Sequence, residues 1–198
     1  MSWIETVAPE HADGPLARLY AQVRSASGHV DNILKVHSLR PATLAGHLAL
    51  YKAALHRQPC GLSPRERELV GVCVSLHNGC DYCVEHHRAG LARHLGGDAS
   101  LAAALSQASR TGGPPLSDRE RALCQYAGKL TRAPAEMRAA DLEPLRAAGL
   151  DDAAILDLNQ IVAYFAYANR TVLGLGVATA GEPLGLHPSE GSPGYQHQ

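Results

Sequence analysis

Residues 62–87 read LSPRERELVGVCVSLHNGCDYCVEHH, and this stretch decides both the class of fold and the chemistry. Ser63 is placed as a helix N-cap, Pro64 takes the first helical position and Glu66 follows the serine by three, which is the pattern of a capping box. Beyond Leu69 nearly every residue is apolar, so the helix that starts here is expected to be central and buried. Asn78-Gly79 then breaks it. Cys80 is expected at or near the start of the next helix, with Cys83 one turn later on roughly the same face and His87 four residues beyond Cys83. His86 points about 100° away from that face.

Outward from this segment the apolar residues keep helical spacing. Leu16, Leu19, Tyr20 and Val23 follow Pro15, and Leu44, Leu48, Tyr51 and Leu55 follow Pro41, each set forming one stripe. The Cys80 helix continues through Val84, Leu91 and Leu95 to Gly96-Gly97, and Asp98 caps the next one. LSDRERALCQYAGKL, from residue 116, repeats LSPRERELVGVCVSL at an offset of 54 residues, with Ser117 and Glu120 forming the same box. No CxxC follows this second copy. A short helix is expected from about Asp141 to Gly149, then a long apolar one, capped by Asp151 or Asp152, through Ile155, Leu158, Val162, Phe165 and Val172. Strand patterns are absent, so the fold class is all-α, in a single helical domain over residues 1–180 with its core motif at about 40–110. Residues 181–198, rich in Gly, Pro, Ser and His, are expected to form a flexible tail or an arm on a neighbouring subunit.

The 198 residues are 45% hydrophobic and 19% charged, with 18 basic against 19 acidic side chains, which gives no support to a nucleic-acid partner. The opening MSWIETVAPEHADG lacks a basic start with an apolar run, and no stretch suits a membrane span, so a cytoplasmic location is expected. Five cysteines without an export signal argue against a framework of structural disulfides, and the close pair Cys80 and Cys83 suggests redox or metal chemistry. Cys60, Cys73 and Cys124 are expected as small buried hydrophobes.

At a helix start the dipole and free N–H groups favour a thiolate, and in a CxxC pair cysteine pKa values commonly fall below about 8.5. His87 is spaced to lie over the Cys83 side chain and to exchange protons near neutrality. Glu68 directly precedes the apolar run, whereas Glu66 is engaged in its capping box. A partly buried Glu68 needs a partner, for which His87 is suited.

Glu68, the CxxC twelve residues later and His87 together resemble the alkylhydroperoxidase D-like family of the carboxymuconolactone decarboxylase superfamily. SLRPATLAGHLALYKAALH at 38–56 and LDLNQIVAYFAYANRTVLGLGV at 156–177 are similar to its peroxidase-related branch, so the resemblance covers about residues 30–177. It implies an all-helical subunit in a homo-oligomer, trimer or hexamer, and a thiol-dependent peroxidase acting on organic or hydrogen peroxide with a dithiol or lipoyl-type reductant. It further implies that Cys83 attacks, Cys80 resolves the sulfenic acid as a disulfide, and Glu68 and His87 relay protons, with no cofactor and no metal. One departure is Tyr82, where the family's hydroperoxidases carry a histidine; a tyrosine with a pKa near 10 is a poor base, so disulfide reduction is an alternative outcome. Asn169 and Arg170 are assigned a structural role at a helix end or subunit contact.

Other classes remain in competition. A zinc module would use Cys80, Cys83, His87 and Glu68 or His77, although no second ligand pair follows at finger spacing. A catalytically silent, redox-sensing oligomer is the other rival. Haem attachment fails because Val84 follows Cys83, and lactone decarboxylation belongs to cysteine-free relatives.

Overall fold

The computed structural model of the chain describes residues 2–25 and 27–185. The local signals place most of the helices where they are found. Pro15 lies in the first turn of α1 (Gly14–Val23), Pro41 starts α3 (Pro41–Tyr51), and α3 runs on into a single π turn at Lys52–His56. Between them lies the short α2 (Asn32–Lys35). Ser63 and Glu66 form the expected capping box of α4 (Pro64–Asn78), and Ser117 and Glu120 form that of α7 (Asp118–Arg132). Between these two are α5 (Asp81–His94) and α6 (Ala99–Thr111), the latter capped by Asp98. Where one short helix was expected after Asp141, a 3-10 turn at Ala139–Leu142 leads into α8 (Glu143–Ala147); Lys129 holds Asp141 at 2.7 Å. Asp151 caps the long α9 (Asp152–Leu175). No strand occurs among the described residues, so the all-α expectation holds.

The helix read as central is central. α4 packs against α5, α6, α7 and α9, and Leu69, Val70, Val72, Cys73 and Val74 are fully buried there. A buried aliphatic side chain contributes about 1.5–3 kcal/mol, so this one helix anchors the core. Gly71 brings α9 close, because any side chain there would overlap the Phe165 ring. A smaller apolar cluster joins α1, α2 and α3 through Leu16, Tyr20, Val30, Leu34, Leu44 and Leu48. Cys73 and Cys124 are buried as expected, but Cys60 is only partly covered, because it lies in the loop that enters α4.

The duplicated helix starts meet as a reciprocal pair. Arg65 of α4 reaches Glu120 of α7 at 2.7 Å, while Arg119 of α7 reaches Glu66 of α4 at 2.6 Å. Arg67 and Arg121, also one repeat apart, each donate to a carbonyl, of Leu55 and Gly112. Among the described residues no helix is long and apolar enough to cross a membrane.

Candidate active site

Gly79 ends α4 in the left-handed conformation, with φ 68°, and the Cys80 N–H returns to the Ser75 carbonyl at 2.9 Å. This reversal makes Cys80 the N-cap residue of α5 and places Cys83 one turn in. Both thiols are free and buried in an apolar nest with Val36, Val172 and Val177. The two thiols interact, each shifting the other's pKa. The neighbouring Cys83 thiol is the main reason that the Cys80 pKa lies below the ordinary thiol value despite burial, while Cys80 and burial push Cys83 well above it. The two directions favour Cys80, at the helix N-terminus, over Cys83 as the first of the pair to lose its proton.

Cys83, and not Cys80, lines a cavity of about 620 Å³ that Glu68, His87, Tyr82 and Phe165 also line. His87 Nδ1 lies 2.7 Å from Glu68 Oε2, and its ring meets Phe165 edge-on with centroids 4.6 Å apart. Burial alone would raise the Glu68 pKa; the charge and hydrogen bond of His87, helped by His94 and His56, hold it below the usual value. Gly90 on α5 makes room for this carboxylate, since a Cβ there would come within 2.7 Å of Glu68. With Nδ1 engaged by Glu68, the His87 Nε2 is the nitrogen left to meet a molecule in the cavity. The structure thus brings Glu68 to His87 and Cys80 to Cys83. His87 and Cys83 share the cavity wall without a hydrogen bond between them.

Tyr82 lines the cavity, but its hydroxyl is engaged elsewhere. Its hydroxyl accepts from the Ile33 N–H at 3.2 Å and donates to Glu182, and burial, with the charge of Glu182, raises its pKa. Glu182 also accepts from His86 Nε2 at 3.1 Å. Residues 181–185, which composition assigned to the tail, therefore pack on the body of the chain, and the remaining tail positions 186–198 lie outside the described residues.

Sequence reasoning missed Asn169. It lies well inside α9, not at its end; it is fully buried beside the cysteine pair, where it lowers the pKa of both thiols. Its amide also donates to Ser75 at 3.1 Å and accepts from Asn78 at 2.9 Å, tying the pair to α4. The signal was available: Asn169 occupies the inward stripe of Leu158, Val162, Phe165 and Val172, where a polar residue requires a partner. Arg170 is exposed and bonds the Ala166 carbonyl of its own helix. Among the described residues, no three of Cys80, Cys83, His87, Glu68 and His77 bring ligand atoms close enough to share one ion, and His77 turns to Cys73 and Arg132. This geometry disfavours the zinc module.

The model of the carboxymuconolactone decarboxylase family matches residues 41–127, from α3 through most of α7. A peroxidase-related protein from Silicibacter sp. TM1040 is 31% identical, with a TM-score of 0.75 over 87% of this chain and 90% of that one. The chain belongs to the carboxymuconolactone decarboxylase family. Within it, the alkylhydroperoxidase AhpD core of a peroxidase-related protein from Ralstonia eutropha JMP134 is 26% identical and superposes with a TM-score of 0.79, covering 89% of this chain and 91% of that one. The debrominase Bmp8 shares the fold at 16% identity, with a TM-score of 0.70 over 87% of this chain and 89% of that one. A search of curated proteins finds no match. The family match includes Glu68, Cys80, Cys83 and His87 and stops before α9, so Asn169 and Glu182 lie outside it.

Proposed function

We propose that this member of a peroxidase-related family is a thiol-dependent peroxidase that reduces organic or hydrogen peroxide through Cys80 and Cys83. The observation that carries the reading is the pair of neighbouring free thiols, only one of which faces a cavity that also holds the Glu68–His87 pair. Access selects Cys83 as the attacking sulfur. Its proton passes to the neighbouring Cys80 once that thiol, the one with the lowered pKa, has ionised, so that Cys83 attacks as the thiolate.

The Cys83 thiolate attacks one peroxide oxygen; a sulfur–oxygen bond forms, the oxygen–oxygen bond breaks, and the alkoxide or hydroxide leaves with a proton from His87 Nε2. Glu68 keeps that imidazole oriented through its bond to Nδ1. Cys80, deprotonated again, then attacks the Cys83 sulfenic acid, giving the disulfide and water. A dithiol or lipoyl-type reductant takes up the oxidising equivalents and restores both thiols. Asn169 holds the two sulfurs in register and stabilises whichever carries the charge. The same reading carries assembly into a trimer or hexamer in the cytoplasm. A second reading, dithiol–disulfide exchange without peroxide, is favoured by one observation: Tyr82 is committed to Glu182 and Ile33 and gives the cysteines no base.

The test is peroxide consumption by purified protein with dithiol reductants, lipoyl compounds included, against C83S. Peroxidase activity lost in C83S supports the first reading. Reduction of a disulfide substrate without peroxide turnover selects the second, and neither activity returns the chain to a silent oligomer.

A further inference from the structure

At the same cavity that Glu68, His87 and Cys83 line, His29 and Asp31 on the segment before α2 meet Glu182 from the end of the described chain, and the three point their ligand atoms at one another. His29 Nε2 lies 3.3 Å from Glu182 Oε2 and 3.6 Å from Asp31 Oδ1, and all three atoms fall within 4.8 Å of each other. We propose that His29, Asp31 and Glu182 form a binding site for a divalent first-row transition metal ion, with zinc as the best-fitting ion.

Four observations carry this. The first is spacing: zinc bonds of about 2.0–2.1 Å in a tetrahedron put neighbouring ligand atoms about 3.3 Å apart, close to the two distances found. The second is an orphan. Asp31 Oδ1 is buried and has no hydrogen-bond partner, although a buried carboxylate oxygen ordinarily finds one, and it is aimed at His29 Nε2. Asp31 is the N-cap residue of α2 but makes no side-chain capping bond, so its carboxylate is not needed for the helix start.

The third observation is charge. The Asp31 and Glu182 carboxylates each bring an oxygen within 4.8 Å of the other, so two like charges repel at close range. A divalent cation would relieve that repulsion directly. The fourth is the outer ring: Glu182 Oε1 meets His86 Nε2 at 3.1 Å, while the Asn32 N–H at 2.8 Å supports Oε2. Such bonding fixes a carboxylate in the orientation a metal needs, as outer partners of ligands generally do. An imidazole with two carboxylates suits zinc and its neighbours, and a water would complete the tetrahedron.

None of these ligands belongs to the cysteine motif, and the site would tie the segment around Glu182 to the start of α2 beside the cavity. Glu182 also anchors Tyr82, so the ion would stiffen the wall next to Cys83.

The test uses the full-length, tag-free protein, stripped with chelator and kept reduced, titrated with Zn²⁺ alone by calorimetry. The expected result is one ion per chain, with affinity reduced at least tenfold in H29Q, D31N and E182Q and unchanged in C80S/C83S. Co²⁺ serves as a second probe and should give weak visible bands without an intense near-ultraviolet thiolate band. A zinc-dependent rise in melting temperature, present in wild type and absent in H29Q and D31N, separates lost binding from lost folding. No saturable binding, binding undiminished in H29Q and D31N, or a thiolate band that vanishes in C80S/C83S would each overturn the proposal.

Discussion

α4 and α7 begin as copies and end as different things. Through the first turn they are interchangeable: the same capping box, the same Arg-Glu-Arg run, and the cross-pairs Arg65–Glu120 and Arg119–Glu66 that tie each start to the other. One residue later they part. Glu68 of α4 corresponds to Ala122 of α7, and the left-handed Gly79 that turns the chain into the CxxC corresponds to Ala133, whose φ of −143° leads instead to Pro134. The duplication supplies a scaffold, and the chemistry was added to one copy only.

The largest break in that comparison should come from the thiols. C83S is expected to lower peroxide turnover by at least about 10³-fold, the scale of losing a nucleophile. C124S in the second copy should leave the rate within about twofold and lower stability by about 1 kcal/mol through lost packing. Equal losses in both would end the asymmetry. The next effect concerns the divergent acid: E68Q should cost about 10² in rate, the low end of general-base assistance, by loosening His87. Its counterpart, A122E, places a carboxylate at a buried position without a partner and should destabilise by about 2 kcal/mol with no gain in activity. A pH profile of Cys83 alkylation that E68Q leaves untouched would remove Glu68 from the site.

What the chain discloses in advance follows the range of the forces involved. Capping, helix stripes and the glycine stop are local, so α4, α5, α7 and α9 were legible from their own residues. The Glu68–His87 pairing was legible from the apolar run after Glu68, whereas the i+4 spacing, which was expected to lay His87 over Cys83, brings the two only to one cavity wall without a hydrogen bond. Asn169 was readable as a polar residue in a buried stripe, but its partners on α4 and α5 are 86 or more positions away in the chain. The distribution of charge between Cys80 and Cys83 depends on burial and a sulfur–sulfur contact that spacing alone does not show. His29, Asp31 and Glu182 had no signal, because only the tertiary path brings position 182 back to α2.

A smaller effect is expected at the helix ends. G79A forces a side chain into the left-handed region and should destabilise by about 1–2 kcal/mol, while A133G, at an extended φ, should cost about 0.5–1 kcal/mol by loosening the unfolded chain. The sharper measure is closure of the Cys80–Cys83 disulfide after peroxide, read by alkylation and peptide mapping. G79A should slow it by tilting the start of α5, and A133G should not. Equal closure rates would mean that the turn after α4 only ends a helix and does not aim the cysteines.

The smallest effect tests whether the reciprocal arginines are truly equivalent. Arg119 does more than pair with Glu66: its other nitrogens donate to the carbonyls of Ala148 at 3.1 Å and Gly61 at 2.8 Å, so it joins the loops before α4 and α9. R119A should therefore destabilise by about 1 kcal/mol, and R65A, which loses a half-exposed partner of Glu120, by about 0.5 kcal/mol. Acid separates them further. Burial would raise the Glu66 pKa, but the Arg119 hydrogen bond and the Ser63 cap hold it below its ordinary 4.5. A carboxylate with a depressed folded pKa gives stability that is present above the unfolded value and lost as pH falls through the folded one. R119A moves the folded value back toward 4.5, so the gap between wild type and R119A in urea midpoints should be widest near neutrality and close below about pH 4.5. A gap that stays constant down to pH 3 would assign the Arg119 contribution to its two carbonyl bonds rather than to the cross-pair between the repeats.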